Sequence, residues 1–566
     1  MSLASLIAVA KGELPADLLL VNARIVNTFT GEIEPGNVAL YGGLIAGVGD
    51  YSHARQVVDL GGRYLAPGLI NGHTHVESSM LHITQYARAV VPRGTTALVT
   101  DLHEIANVRG LEGMKYMLRW ARRLPLDLFL MVPSCVPATS LETSGARLDA
   151  RDIRAALRWG NAIGLGEVMN FPGVLGGDRE VLEKVAVART GSIDGHAPGL
   201  RGRGLNAYIA SGILSDHEST TAEEAEEKLR RGMYLMIREG SSEKNLDALL
   251  PLVTDNTYKR CLFVVDDRSC VDLLRDGDID AVVRKAIRGG LDPVRALQLA
   301  TINAAEYFRL GRVGAVAPGY LANLIVIGDL ATLGIEKVFY RGRLVAEGGE
   351  PLFGVPSRIG GDLTRSVNVR PFAVEALRIP ATGYADPIIE LVPDQILTRK
   401  RWEEVRVSGG VVVPDVERDI LKLVVVERHR ASGNIGLGLV KGFGLRRGAM
   451  ASSIAHDSHN IIAVGADDRD ILTAIEEVSR LQGGLVIAHE GRILAALPLP
   501  IAGLLSDAPL EAVVARLEEL ESTALSLGVS LPAPFAALSF LALPVIPELR
   551  LTDLGLVDVT AARLLH

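Results

Sequence analysis

The 566-residue chain has only three cysteines, Cys135, Cys261 and Cys270. That is too few for a disulfide framework, and their scarcity suits a reducing cytoplasm. There is no excess of basic charge: 59 Lys and Arg against 67 Asp and Glu give a net charge of −8, which speaks against a nucleic-acid partner. No uninterrupted apolar run is long enough to span a bilayer, so no membrane partner is expected. The apolar patch at residues 6 to 10 lacks a basic stretch before it and is not read as a signal peptide. Low-complexity tracts and short repeats are missing as well. Gly436, Gly438 and Gly442 do not match the spacing of a dinucleotide fingerprint, which excludes a nucleotide cofactor of that kind.

What remains is a chain that is 48% hydrophobic and 22% charged, as expected of a globular protein, and long enough for about two to four domains. Residues 15 to 66 read as short strands, 18 to 21, 38 to 41 and 44 to 48, with a turn-rich stretch from Thr28 to Asn37. From residue 68 to about 310 strand and helix patterns alternate. Eight apolar strand candidates begin at Leu69, Ala97, Leu128, Ile163, Ser192, Ile213, Tyr234 and Leu262. Thr221 with Glu224 forms a capping-box pattern, and Asp292-Pro293 can open a helix running toward Leu310. Eight such units in about 250 residues have the size of a (β/α)8 barrel, a TIM-like α/β fold whose active site lies at the C-terminal strand ends.

The ligand-type residues fall at those ends. The first strand finishes in Gly72-His73-Thr74-His75, and the two-residue period of a strand puts both imidazoles on one face, where they can chelate a divalent metal. Asp101 and His103 end the second strand, Glu167 the fourth, His196 the fifth, His217 the sixth and Asp266 the eighth. Five of only twelve histidines sit at these positions. The set fits two metals, one on His73, His75 and Asp266 and one on His196 and His217, with Glu167 able to bridge them. Hydroxide is then available near neutral pH, and Asp266 can accept its proton. Asp267 is the alternative strand-eight ligand by a shift of one residue. Cys135 is not read as a nucleophile, because no base is placed beside it. His53, His82, His429, His489 and His566 have no partner pattern and are read as surface or local structural residues.

Strand character returns at residues 311 to 350, which are expected to join residues 1 to 66 in a small composite β-sandwich domain around the barrel of residues 67 to 310. Residues 351 to 390, punctuated by Pro and Gly, read as a connector. Residues 391 to 566 read as a further α/β domain. Its His456-Asp457-Ser458-His459-Asn460 run is expected to be a polar loop stabilising that domain, with capping of the active site or a further metal as the other options. The apolar segment 540 to 546 is either core or subunit interface.

The strand-one stretch Ile70 to Met80, His103-Glu104-Ile105-Ala106-Asn107-Val108, Pro133-Ser134-Cys135-Val136-Pro137, Gly166-Glu167-Val168-Met169-Asn170, Asp194-Gly195-His196 and Ser215-Asp216-His217-Glu218 resemble the motifs of the bacterial adenine deaminases of the amidohydrolase superfamily. The 455 to 462 and 497 to 503 stretches do so too. The resemblance implies hydrolysis of adenine to hypoxanthine and ammonia, a step of purine salvage or catabolism, by metal-bound hydroxide attacking C6. It implies manganese or iron, with zinc as a further option, and a homo-oligomer, namely a dimer. It also implies catalytic roles for Asp266, Glu167 and His103 and purine reading by Glu77, Ser78 and His103. Another aminopurine or cyclic-amide hydrolase on the same scaffold is the alternative, since fold does not fix substrate. The Pro-Cys-x-x-Cys signature of the zinc cytidine-type deaminases is absent. Two stretches depart from the family pattern: Asp101-Leu102-His103, where Asp-Pro-His is common, and Gly277-Asp278-Ile279-Asp280, where Gly-His-Ile-Asp is common. The second is expected at the surface.

Overall fold

The structure, a computed structural model, describes residues 2 to 565 except 357, 358, 360, 362, 382, 384, 393 and 394. His566 and part of the expected connector lie outside the described residues.

Helix Leu3–Ala10, capped by Ser2, turns Val9 onto Ala16, Leu19, Ala39 and Ala46 of the sheet that follows. That sheet has nine strands. Its first half comes from residues 16 to 67 and its second from residues 324 to 351, joined where Leu324–Ile327 pairs antiparallel with Tyr64–Pro67. The turn-rich stretch is shorter than its composition predicts. Ile33–Tyr41 is a single strand that takes in Pro35, Gly36 and Asn37. These residues sit on the less buried half of the strand, where pairing of Pro35 and Gly36 with Arg24 and Ala23 and of Asn37 with Gly49 holds them extended.

The barrel has eight parallel strand positions. Leu69–His75, Thr95–Asp101, Asp127–Val132, Ala162–Val168 and Ser192–Gly195 lie side by side in one sheet. Ser215–Asp216, Tyr234–Arg238 and Cys261–Val264 form a second. The eighth strand breaks at Val265 and resumes as Asp266–Asp267, which pairs with Thr74 and His75 and so closes the ring onto the first strand. Between the fifth and sixth positions, Leu214 donates its N–H to Ile193 O at 3.3 Å. The helix opened by Pro293 ends at Leu299 and a second one, Ile302–Tyr307, follows. The break leaves Ala300 O free to accept the Ile70 N–H at 2.8 Å, tying this helical pair to the first strand.

The last domain carries an eight-stranded sheet whose second strand in sheet order, Asp386–Leu391, begins before residue 391. Helix Asp468–Leu481 packs on it through Ile471, Ala474, Ile475 and Val478. The domain is docked on the C-terminal face of the barrel. Ser506 donates its N–H to Met80 O at 2.8 Å, Thr552 Oγ1 donates to Leu141 O at 2.7 Å, and Asp553 Oδ1 accepts the Thr143 N–H at 2.8 Å. Leu541, Ala542 and Leu543 are buried and Val545 packs against Cys135, Ala138 and Met169, so the 540 to 546 segment is core within one chain. Among the described residues no helix is long and apolar enough to cross a membrane.

Candidate active site

The barrel mouth gathers the strand-end residues into one buried cluster. Three devices aim the imidazoles. His75 Nδ1 donates to Asp101 O at 2.9 Å, which leaves its Nε2 lone pair facing the cluster. His73 and His75 stand edge to face, and His73 stacks on His217 with ring centroids 4.4 Å apart. Both ring nitrogens of His73 are buried without a hydrogen-bond partner, and its Nε2 lies 3.5 Å from Asp266 Oδ1. A buried nitrogen lone pair among carboxylate oxygens calls for a cation, so this donor set fits a metal.

Glu167 stands between two pairs of histidines. Its Oε1 is 3.3 Å from His75 Nε2 and 3.9 Å from His73 Nε2, while its Oε2 is 2.6 Å from His196 Nδ1 and 3.2 Å from His217 Nε2. Burial opposes its charge, but hydrogen bonds from His196 and His217 hold the carboxyl well below the usual range. Asp101 Oδ2 accepts the Glu167 N–H at 3.0 Å. The approach is close enough that any side chain at Gly166 would run into that oxygen, which explains the glycine before the ligand-type glutamate.

Asp266 reaches the same centre from the broken eighth strand. Its φ of 63° lies in the left-handed region, rare for a residue with a Cβ. Its Oδ1 is 3.1 Å from His75 Nε2. Its Oδ2 accepts from Arg238 Nη1 at 2.8 Å. Asp267 also lies beside His75 and Asp266, close enough to share an ion with them, and accepts a hydrogen bond from Ser78 Oγ. Glu77 Oε1 accepts the Ile105 N–H at 3.2 Å, and burial with the neighbouring Glu104 charge pushes its carboxyl up to about 7. His103 Nδ1 lies 3.5 Å from Asp101 Oδ1 and 3.7 Å from Glu167 Oε1. Cys135 is buried beside Ser134, and burial pushes its thiol up, against nucleophilic use.

Four contributors lie outside the predicted set of strand-end ligands. Glu218 lies 3.7 Å from His196 Nδ1 and 3.5 Å from His217 Nε2, and it is paired with Arg238, which ends the seventh strand. The adjacent Asp-His-Glu sequence could have flagged Glu218, whereas Arg238 has no ligand character to give it away. From the last domain, His456 Nδ1 lies 2.8 Å from Glu104 Oε1 and His459 Nε2 contacts Glu104 Oε2. The 456 to 460 run therefore reaches the mouth of the barrel and is not confined to its own domain. The Gly277 to Asp280 stretch is not at the surface either. Asp278 and Asp280 are buried, and Asp278 accepts hydrogen bonds from Asn71 Nδ2 at 3.0 Å and Thr95 Oγ1 at 2.9 Å. These contacts fix the strand that carries His73. His82 is likewise buried, as the cap of helix Ile83–Val90, while His429 is half-buried with its Nε2 donating to Ser458 O at 2.7 Å.

Comparison with known sequences agrees with this layout. Residues 64–345 match the amidohydrolase family and residues 395–563 the adenine deaminase C-terminal domain. An adenine deaminase of Dehalococcoides mccartyi is 62% identical over 564 residues, covering 100% of this chain and 99% of its own. Adenine deaminase 2 of Carboxydothermus hydrogenoformans is 51% identical over 559 residues, covering 98% and 97%. An adenine deaminase of Methanothrix thermoacetophila is 49% identical over 562 residues, covering 99% and 98%. With full-length identity at that level joined to both domain matches, the chain belongs to the adenine deaminase family of the amidohydrolase superfamily.

Proposed function

We propose that the chain hydrolyses adenine to hypoxanthine and ammonia at a centre that would hold two divalent metal ions, with Glu167 able to serve both. His73, His75 and Asp266 would hold one ion and His196 and His217 the other. The observation that carries this is the division of Glu167: one carboxylate oxygen faces the strand-one histidines and the other faces those of strands five and six. Manganese or iron suits the imidazole and carboxylate donors, and zinc suits them too. Such ions, when bound, lower the pKa of water enough to supply hydroxide near neutral pH.

The chain's own groups handle binding and protons. Asp266 is placed to take a proton at Oδ1 and return it to the departing amine, with Arg238 on Oδ2 keeping the carboxylate aimed. His103 faces the cluster through Nδ1 and is placed to polarise the purine as it reacts. Glu77, with Oε2 buried and without a hydrogen-bond partner, and Ser78 beside Asp267 are the groups assigned to read the purine edge. Burial of His73, His75, His103, Glu167, His217 and Asp266 strengthens the electrostatic interactions among them.

The test is ammonia release from adenine by purified protein before and after chelation, then after refilling with manganese or iron. Activity that disappears and returns supports substrate and metals together. A protein that holds two metals and releases no ammonia from adenine keeps the hydrolase and sinks the substrate.

A further inference from the structure

We propose that the last domain is a working part of the active site: His459 and His456 fix the Glu104 carboxylate, and Glu104 in turn positions the His103 ring beside the metal-ligand cluster. This rests on the function proposed above. Glu104 is buried at 3% exposure, where a carboxylate must be hydrogen-bonded. Three imidazoles contact its carboxylate oxygens. His459 Nε2 meets Oε2, while His456 Nδ1 meets Oε1 at 2.8 Å and His103 Nε2 approaches Oε1 at 3.3 Å.

The protonation pattern of His459 follows from its backbone. The Ala455 N–H donates to His459 Nδ1 at 3.3 Å, and the His459 N–H returns to Ala455 O at 2.7 Å. Nδ1 is therefore an acceptor, the ring proton lies on Nε2, and that proton is donated to Glu104. Glu104, His456 and His459 also lie close enough together to hold a metal ion. The tautomer argues against one. A metal at His459 Nε2 would need that lone pair, moving the proton to Nδ1, where it would face the Ala455 N–H donor to donor. The trio is a clamp on Glu104.

The clamp's effect falls on His103, the first residue of helix His103–Ala121, which has no side-chain cap at Leu102. With Nε2 held toward Glu104, Nδ1 is left facing Asp101 and Glu167. His459 and His456 thus act as positioning residues, 352 or more positions along the chain from Glu104.

His459→Leu removes the donor at similar bulk. His459→Gln keeps an N–H near the Nε2 position. We expect His459→Leu to lower kcat by about 10 to 100-fold, the usual effect of removing an outer partner. KM should change little and two metals per chain should be retained, and His459→Gln should recover most of the loss. If His459→Leu does not fold, Glu104→Gln takes its place and should show the same split between kcat and KM. A kcat within twofold of the parent in a folded, metal-filled variant overturns the proposal. Three metals per chain, the third lost with His459, overturns it in favour of a metal site. The histidine ¹⁵N spectrum tests it whatever the turnover: a His459 proton on Nδ1 overturns the clamp. A parent protein that releases no ammonia fails the proposed function instead.

Discussion

Arg238 Nη1 lies 2.8 Å from Asp266 Oδ2, while the other oxygen of that carboxylate faces His73 and His75. Arg238 is 4% exposed and also pairs with Glu218, so one buried guanidinium serves two acids at the strand-end cluster. Removing it strands both charges. Arg238→Met should therefore lower kcat/KM by about 10²-fold or more, with Arg238→Lys recovering part of it. Steady-state ammonia release decides this. Equal activity in Met and parent would show that Asp266 is held without the arginine.

Glu167→Gln replaces one of two carboxylate oxygens by an amide NH2, which has no lone pair to offer a metal. Each oxygen now faces its own histidine pair. The variant should hold no more than one ion per chain by elemental analysis. Its activity should fall by more than the roughly 10 to 100-fold typical of groups that only support a ligand. Two retained ions would count against a bridging role.

Chelation should lower the melting temperature as well as abolish activity. Ions that bind only the folded chain stabilise it by about 2.7 kcal/mol at 100 times Kd, so the melting point should climb with manganese concentration in calorimetry. A melting point indifferent to metal would show that the buried cluster does not hold one.

Asp278 gives a pH signature in stability. Burial, reinforced by the Asp280 charge, raises its carboxyl from 3.8 to about 6. The folded chain therefore binds this proton more readily than the unfolded one, and the group's contribution to stability declines as pH rises from about 4 to 6. Above that window the full cost is present. Asp278→Asn should flatten this part of the stability curve relative to the parent, measured by denaturant unfolding at several pH values. Parallel curves would refute the shift.

Much of the site was legible because each ligand-type residue follows an apolar run that must end at the same barrel face. His73 and Glu167 needed only strand period and topology, whereas Asp266 and Asp267 remained two readings of one register because the strand breaks at Val265. The rest was hidden for distinct reasons. Glu104 and His459 are joined across 355 positions by no period or spacing. Asp278 lies in an acidic, glycine-containing stretch that reads as exposed loop, yet it is buried by its bonds to Asn71 and Thr95. Arg238 belongs to an apolar strand, and only the fold shows that its charge is answered by Glu218 and Asp266. Pro35 and Gly36 announce a turn that backbone pairing overrules.

One continuous hydrophobic core runs from the barrel helices through Leu81 and Leu102 into Leu499, Leu505 and Leu538 of the last domain. Shared packing of this kind makes the two domains one unit of stability, so loosening the last domain exposes apolar surface of the barrel and weakens both together.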